Sequence, residues 1–538
     1  MQEDLLEAFR TPLFFVYISM LLSFCMVSGS QLGDRVELEF QAYRLQQYDV
    51  ANNVIGSKSF RVMYEAVGID SNALRKCMVV SWRDLWNRDL EGMFNAAVGA
   101  VIIVLPPDFS MLAPNERKHL LDLETALSMV QTEMSVYAIK YTDAASALLS
   151  DVSFTSTEST ATQKLIQTVS ANTFQLTSTT TSIPTSLPYT PKNVIVRLGG
   201  ASSTAPTIVF VAHYDTHSAF PDLGAGADSN GSGVVALLEL LSVFKRFYDR
   251  AATKPNHHMI FVWSAAGKHN YQGSTAFVAE MQEKYSDERI DLAICLDTIG
   301  NGKALNVHLS KAPAPGSTSD RFVTHLRAAA HNQTIEVAAK KINLNIPLSW
   351  EHERFNAKRQ PALTLSSLSV PSEMTRRSIS DYYINSAVLT RNTRTIAEAV
   401  LAMILPLPER SAHKDDRVSS DSTLLAPEAV SKKRIEQLIT RFASHARPLS
   451  SQSSSEETVS NLLAFASSYG HARTQPVTLD TVVVPSAIER IVAEKTKPAV
   501  FDLLLAAGIA AYLALLMKIV SCSQSILDGA LTSLRKGY

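Results

Sequence analysis

The chain alternates between two hydrophobic rhythms, and their order predicts its layers. Between Asn193 and Leu405 four segments, NVIVRL, TIVFVAH, HMIFVWSA and DLAICLDT, are apolar at nearly every position. Continuous runs of this length suit strands buried on both faces of a sheet. Between them lie segments with helical spacing. GVVALLELLSVFKRF is apolar almost all round and predicts a central helix, whereas STAFVAEMQEKY is amphipathic. ALNVHLS, DRFVTHLRAAAHNQ, IEVAAKKI, PALTLSSL and NTRTIAEAVLAMIL continue the series. Such alternation predicts an α/β fold, a mixed, mainly parallel sheet sandwiched by helices, over residues 191–405.

The flanks read differently. Residues 31–190 predict an N-terminal α+β domain placed as a lid, with AAVGAVIIVLP and SVYAIKYT as strands and NERKHLLDLETALSMVQTEM as an amphipathic helix. Within it, the Ser/Thr-rich stretch from Ser153 to Pro191 predicts a linker or exposed excursion around a helix-like piece, TQKLIQTVSANTFQ. Residues 406–498, with the Ser-rich break SSQSSSEE, predict a helical stalk. The apolar run PLFFVYISMLLSFCMVSGS predicts a secretory signal over residues 1–30. Its acidic start (Glu3, Asp4, Glu7) leaves an uncleaved anchor as the alternative. Residues 499–520 predict a transmembrane helix, with Asp502 and Lys518 near its ends, and residues 521–538 a cytosolic tail carrying Arg535 and Lys536. Together these predict a single-pass type I protein with the bulk of the chain luminal or outside.

Composition narrows the classes. A formal net charge of −1 removes the global basicity of a nucleic-acid binder. Cys25, Cys77, Cys295 and Cys522 form neither a disulfide framework nor a zinc knuckle. Buried free thiols are expected, with a Cys77–Cys295 pair as the alternative.

Ligands of open α/β sheets gather at the carboxyl ends of strands. His213 and Asp215 stand just past one such end, and Asp297 past another. Asp228 precedes the central helix, and His352, in SWEHERF, precedes the strand PALTL. Several such residues at one sheet edge point to a metal site. This run resembles the di-zinc aminopeptidase superfamily that includes nicastrin and the transferrin-receptor ectodomain. The resemblance implies that His213 binds one zinc and Asp215 orients it. It implies that Asp228 bridges both metals, Asp297 binds the first and His352 the second.

The resemblance also implies two glutamates, one a general base and one a zinc ligand, where FVWSAAGKHNYQGSTAF has Gly267 and Lys268. Gly273 and Ser274 keep the register, and Asp228-Ser229 replaces a usual pair of aspartates. Loss of a general base removes a factor of ~100 to 10,000 in rate. Like charges ~4 Å apart repel by about 4 kcal/mol at an effective dielectric near 20, so an ammonium opposes a bound dication. The expectation is a site without metal or other cofactor, in which Lys268 neutralises Asp228 or Asp297. The alternative sends Lys268 to solvent and keeps one zinc on His213, Asp228 and Asp297. Asn230 and Asn332 begin Asn-x-Ser/Thr sequons and are glycosylation candidates in a luminal domain.

AHYD, GADSNGSGVVALLEL, GKHNYQG, CLDTIG, KKINL, WEHERF, LTRNTRTIAEA and KPAVFDLLLAAGIAAYL are similar to the nicalin branch of the superfamily, endoplasmic-reticulum relatives of nicastrin. That resemblance implies a non-catalytic scaffold subunit of the endoplasmic-reticulum membrane. It implies assembly with a nodal modulator protein and a small multispanning membrane protein, beside translocon-associated machinery that serves multipass membrane proteins. Small residues four apart in the membrane segment, Ala506/Ala510 and Ala507/Ala511, suit close approach of another helix. The competing readings are an active zinc aminopeptidase and a nicastrin-like substrate gate of an intramembrane protease.

Overall fold

The computed structural model describes residues 37–50, 53–69, 75–86, 88–95, 99–154, 173–180, 182, 184–331, 333–371, 374–405, 424–496 and 499–535. The segment expected to be a signal and most of the helix-like piece before Thr173 lie outside these residues.

One sheet holds, in spatial order, the strands Ile335–Ala339, Leu305–Leu309, Ala362–Ser366, Ile290–Leu296, Thr207–His213, His258–Ser264, Lys192–Leu198 and His471–Pro476. Thr207–His213 runs parallel to both neighbours, and pairing turns antiparallel towards each side. The middle strands are continuously apolar because both faces are covered. Val194, Val196 and Phe210 pack with the helices Gly233–Tyr248 and Ser386–Ile404, while Ile195, Val209 and Val211 pack with Phe277 and Phe355 on the opposite side. The mainly parallel, helix-covered sheet is as the hydrophobic pattern predicts.

The second sheet closes into a barrel of the strands Glu37–Arg44, Ile488–Thr496, Thr173–Ser178, Met63–Val67, Cys77–Ser81, Ala100–Val104 and Ser135–Ile139. Alternate residues face two cores. Phe40, Val79, Ile102 and Tyr137 meet Leu148 of the helix Asp143–Phe154, whereas Tyr43, Val80 and Ile103 meet Leu120 and Leu123 of the helix Pro114–Met129. That second core also takes in Ala219, Phe220 and Ile379 from loops of the larger sheet, so the two units share apolar packing. Cys77 and Cys295 are free and lie in different cores.

Three expectations change. The Ser/Thr-rich stretch is no simple linker, because Thr173–Ser178 is a barrel strand between Ile488–Thr496 and Met63–Val67. Residues 406–498 do not form a helical stalk. Their helices Lys432–Phe442 and Gln452–Ser467 bury Ile435, Leu438 and Leu462 in the main core. Their strands then complete both sheets, His471–Pro476 beside Lys192–Leu198 and Ile488–Thr496 beside Glu37–Arg44. Finally, the C-terminal helix runs from Ala499 to Arg535, past the expected start of the tail. Its stretch Leu505–Ser525 is long and apolar enough to cross a membrane.

Burial of a charge explains how the expected stalk is held. Glu239 on the central helix is fully buried, and its two carboxylate oxygens accept from Nε and Nη2 of Arg434. The Ser431 N–H donates to the same carboxylate at 3.0 Å. Removing one partner strands a buried charge, so Arg434→Ala should lower stability by about 3 kcal/mol. A denaturant titration checks it, and an unchanged midpoint would mean that the segment is not docked.

Candidate functional site

The five residues singled out at strand ends are buried at one edge of the main sheet. His213 ends the strand Thr207–His213, and Asp297 follows Ile290–Leu296 directly. His352 opens the helix His352–Ala357, and Asp228 lies in the turn ahead of Gly233–Tyr248. The chain leaves the strands His258–Ser264 and Ile290–Leu296 through left-handed residues, Ala266 (φ 53°) and Thr298 (φ 56°). That region is unfavourable for residues with a Cβ and is tolerated where surrounding contacts over-determine the turn.

Asp297 has a cationic partner that sequence reasoning missed. Arg376, on the short turn Thr375–Arg377, donates from Nη1 to Asp297 Oδ2 at 2.9 Å, with both side chains buried. The guanidinium lies over the Trp350 ring, 4.7 Å from its centroid, and also donates to the Ser349 carbonyl at 3.0 Å. Trp350 in turn stacks on His308 at 4.3 Å. The Thr298 hydroxyl donates to the other Asp297 oxygen at 2.7 Å. Burial alone would raise the Asp297 carboxyl. Arg376 first, then His213, Lys268 and the Thr298 bond, outweigh it and hold the group well below the usual carboxylate range.

Lys268 is buried too, at 7% exposure, which overturns the alternative in which it reaches solvent. It pairs with neither Asp228 nor Asp297. Its Nζ donates to Ser229 Oγ at 2.7 Å and to the Arg376 carbonyl at 3.0 Å. Burial pushes this ammonium down to about 8, against the pull of Asp297. The expected neutralisation of Asp297 is therefore made by Arg376. The Lys268 ammonium instead holds the main chain of the turn that carries that arginine.

Asp228 accepts from the Gly300 N–H at 2.6 Å and from Asn301 Nδ2 at 3.0 Å. Burial and then neighbouring Asp381 push its carboxyl up to about 7. Asp215 accepts from the Gly267 and Lys268 N–H groups at 2.7 and 3.0 Å, so its two oxygens cap the loop rather than orient His213. Glu351 Oε2 is 3.5 Å from His213 Nδ1, while its Oε1 accepts from the Ser264 and Ser274 hydroxyls, each at 2.6 Å. His352 Nδ1 meets Thr364 Oγ1 at 2.8 Å, and burial followed by His308 pushes the ring down to about 3. Among the described residues, Nε2 of His213 and Nε2 of His352 have no hydrogen-bond partner.

The donor set does not fit two zinc ions. The two imidazole nitrogens are retained, but a guanidinium occupies one face of Asp297 and backbone and amide donors fill Asp228. Among the described residues, no three His, Cys, Asp or Glu side chains are arranged to hold a metal ion. A glutamate also has no place at position 267. A Cβ there would lie 2.2 Å from His213 Cβ and 2.3 Å from its Cγ. A cavity lined by Gly267, Lys268, Tyr271, Leu348, Arg376 and Arg377 among others measures about 30 Å³. That is the scale of an ordered water, not of a peptide.

Asn230, expected as a sequon, is fully buried. Its Nδ2 donates to the Leu296 carbonyl at 2.7 Å and its Oδ1 accepts from the Gly233 N–H at 3.1 Å, leaving no place for a glycan in the fold. Asn332 lies outside the described residues. Glu351 was within reach of sequence reasoning, since it adjoins His352 in WEHERF. Arg376 carries no motif beyond the pair Arg376-Arg377, on a single short turn between longer elements.

The sheet, its strand-end histidines and acids, and the turn into the central helix define a peptidase-type domain, and residues 193–400 match the model of Peptidase family M28. Over its full length the chain is 41% identical to Nicalin of Caenorhabditis elegans, covering 100% of both. It is 31% identical to BOS complex subunit NCLN of Homo sapiens, covering 95% of this chain and 94% of the human one. The chain belongs to the nicalin family. Its fold resembles the gamma-secretase component nicastrin, with a TM-score of 0.53 at 12% identity over 85% of this chain and 97% of that one.

Removing Arg376 alone leaves Asp297 buried and unpaired. Arg376→Ala should cost about 3–5 kcal/mol of stability, while Arg376→Met with Asp297→Asn should cost only about 1–2 kcal/mol. Thermal unfolding of the two variants checks the pair, and equal losses would show that the ion pair is not the controlling contact. Gly267→Glu should destabilise by more than about 2 kcal/mol through the clash with His213.

Proposed function

We propose that this chain is a non-catalytic scaffold subunit of the endoplasmic-reticulum membrane, built on a peptidase domain that has lost its chemistry. The observation that carries the reading is the Arg376 guanidinium on Asp297, at the strand end where the aminopeptidase resemblance requires a metal. Catalytic hydrolysis of this type needs a base to take a proton from an activated water. Gly267 has no acid, Lys268 is a cation, and the backbone at position 267 packs directly on His213. A substrate also needs space, and the cavity beside Lys268 and Arg376 offers about 30 Å³.

The scaffold role draws support from the relatives named BOS complex subunit and from a C-terminal helix able to span a bilayer. In this reading residues 1–30 are a signal, 31–190 a lid-like unit, 191–405 the degenerate peptidase unit, and 406–498 an integral part of both. The protein is single-pass type I, with barrel and sheet in the lumen and the end of the C-terminal helix on the cytosolic side. Its partners are a nodal modulator protein and a small multispanning membrane protein, beside the translocon machinery for multipass proteins. Asn332 is the glycan acceptor of this reading.

Two assays test it. Affinity purification of the full chain from membranes should recover translocon-associated proteins together with those two partners. Recovery of an intramembrane protease without them would contradict the scaffold and favour a substrate gate. The purified luminal portion should show no aminopeptidase turnover above background. Robust turnover that Asp228→Asn abolishes would contradict the non-catalytic reading.

A further inference from the structure

The turn that carries Arg376 is gripped from two sides. On the cleft side, Asp381 accepts from the Asp228 and Ser229 N–H groups at 2.9 and 2.8 Å, and Lys268 holds the Arg376 carbonyl. Arg377 donates from Nη2 to the Lys268 carbonyl at 3.0 Å. On the other side stands the helix Pro114–Met129 of the barrel unit. Its Glu124 is 4% exposed, and its carboxylate accepts from the Ser378 hydroxyl and, at 2.8 Å, from the Ile379 N–H. Between these bonds the Ile379 side chain enters the barrel's second core beside Leu120, Leu123 and Phe220.

We infer that Glu124 is a latch: the barrel unit holds the Arg376–Arg377 turn in the cleft through this one buried carboxylate. A buried carboxyl that accepts from two donors is a directional grip, and it acts together with the apolar packing of Ile379. Ser378 and Ile379 follow Arg376 by two and three residues, so displacement at Glu124 reaches the guanidinium on Asp297 through this short segment. Glu124 touches neither Asp297 nor the former ligand positions and is a positioning residue. The consequence is coupling. The barrel that contains Glu124's support also contains the strand Ile488–Thr496, whose end is separated from the C-terminal helix by two residues. A partner that shifts the barrel against the sheet loosens the turn, and a partner that braces the barrel tightens it. The inference rests on the contacts of the turn and is independent of the scaffold reading.

Trypsin cleaves after arginine, and Arg376-Arg377 is a double target that the docked turn protects. Limited proteolysis of the full-length protein in detergent micelles measures release of the turn directly. Glu124→Ala should accelerate cleavage at these two bonds by about tenfold relative to cleavage at other lysines and arginines. Its thermal midpoint should stay within about 2 °C of the parent. Glu124→Gln keeps the side-chain shape and an acceptor for the Ile379 N–H, and should accelerate it only about threefold. Where the alanine variant does not fold, the glutamine variant carries the same test. An unchanged rate at Arg376-Arg377 overturns the latch. So does a rise matched at sites throughout the chain, which marks a general loss of stability.

Discussion

A buried carboxylate at the end of a central strand must be balanced, and in this fold a side chain supplies the balance. Asp297 is fully buried, and its Arg376 partner is nearly so. An isolated carboxylate in such a place is too costly to keep charged. Within this structure the cation comes from the turn Thr375–Arg377, and the surrounding architecture follows from that choice. Trp350 supports the guanidinium, His308 supports Trp350, and Lys268 fastens the carbonyl of the same arginine. The site is thus a packed polar core with its own internal charge balance.

Such a core suits the proposed scaffold role. Arg447, one of the largest fully buried side chains, ties the segment after the helix Lys432–Phe442 to the Tyr214 and Gly226 carbonyls. Asp381 ties the Arg376 turn to the helix-opening loop. Buried hydrogen-bond networks such as those of Arg447 and Asp381 rigidify the elements they join. The cleft of the peptidase fold becomes a junction where barrel, sheet and C-terminal segment meet.

Much of this was legible in the chain, for reasons that differ by element. Strands such as TIVFVAH announce themselves because burial on both faces leaves the run between Thr207 and His213 wholly apolar. His213, Asp297 and Asp228 were legible because strand ends and helix-opening turns are where α/β sheets place chemistry. Gly267 and Lys268 stood out as departures from a pattern, but the partners of Lys268, Ser229 and the Arg376 carbonyl rather than Asp228 or Asp297, were not legible. Nor was Arg376, because an arginine in a loop carries no periodicity, and its partner stands 79 residues away in sequence. The strands His471–Pro476 and Ile488–Thr496 were missed for a related reason. HARTQP and IERIVAEKT are polar and locally compatible with helix, and their pairing partners lie far off, at Lys192–Leu198 and Glu37–Arg44. Tertiary pairing decided their state, as it does for sheet edges and barrel closures.

The central claim is that side chains, not metal, complete the strand-end site. It is tested most directly by the thermal midpoint of the purified protein, measured with a strong chelator and again with added zinc. A ligand that binds only the folded state raises stability by about 4 kcal/mol at a thousandfold excess over its dissociation constant. The account predicts a midpoint that moves with neither treatment. A midpoint that falls on chelation and recovers with zinc would contradict it.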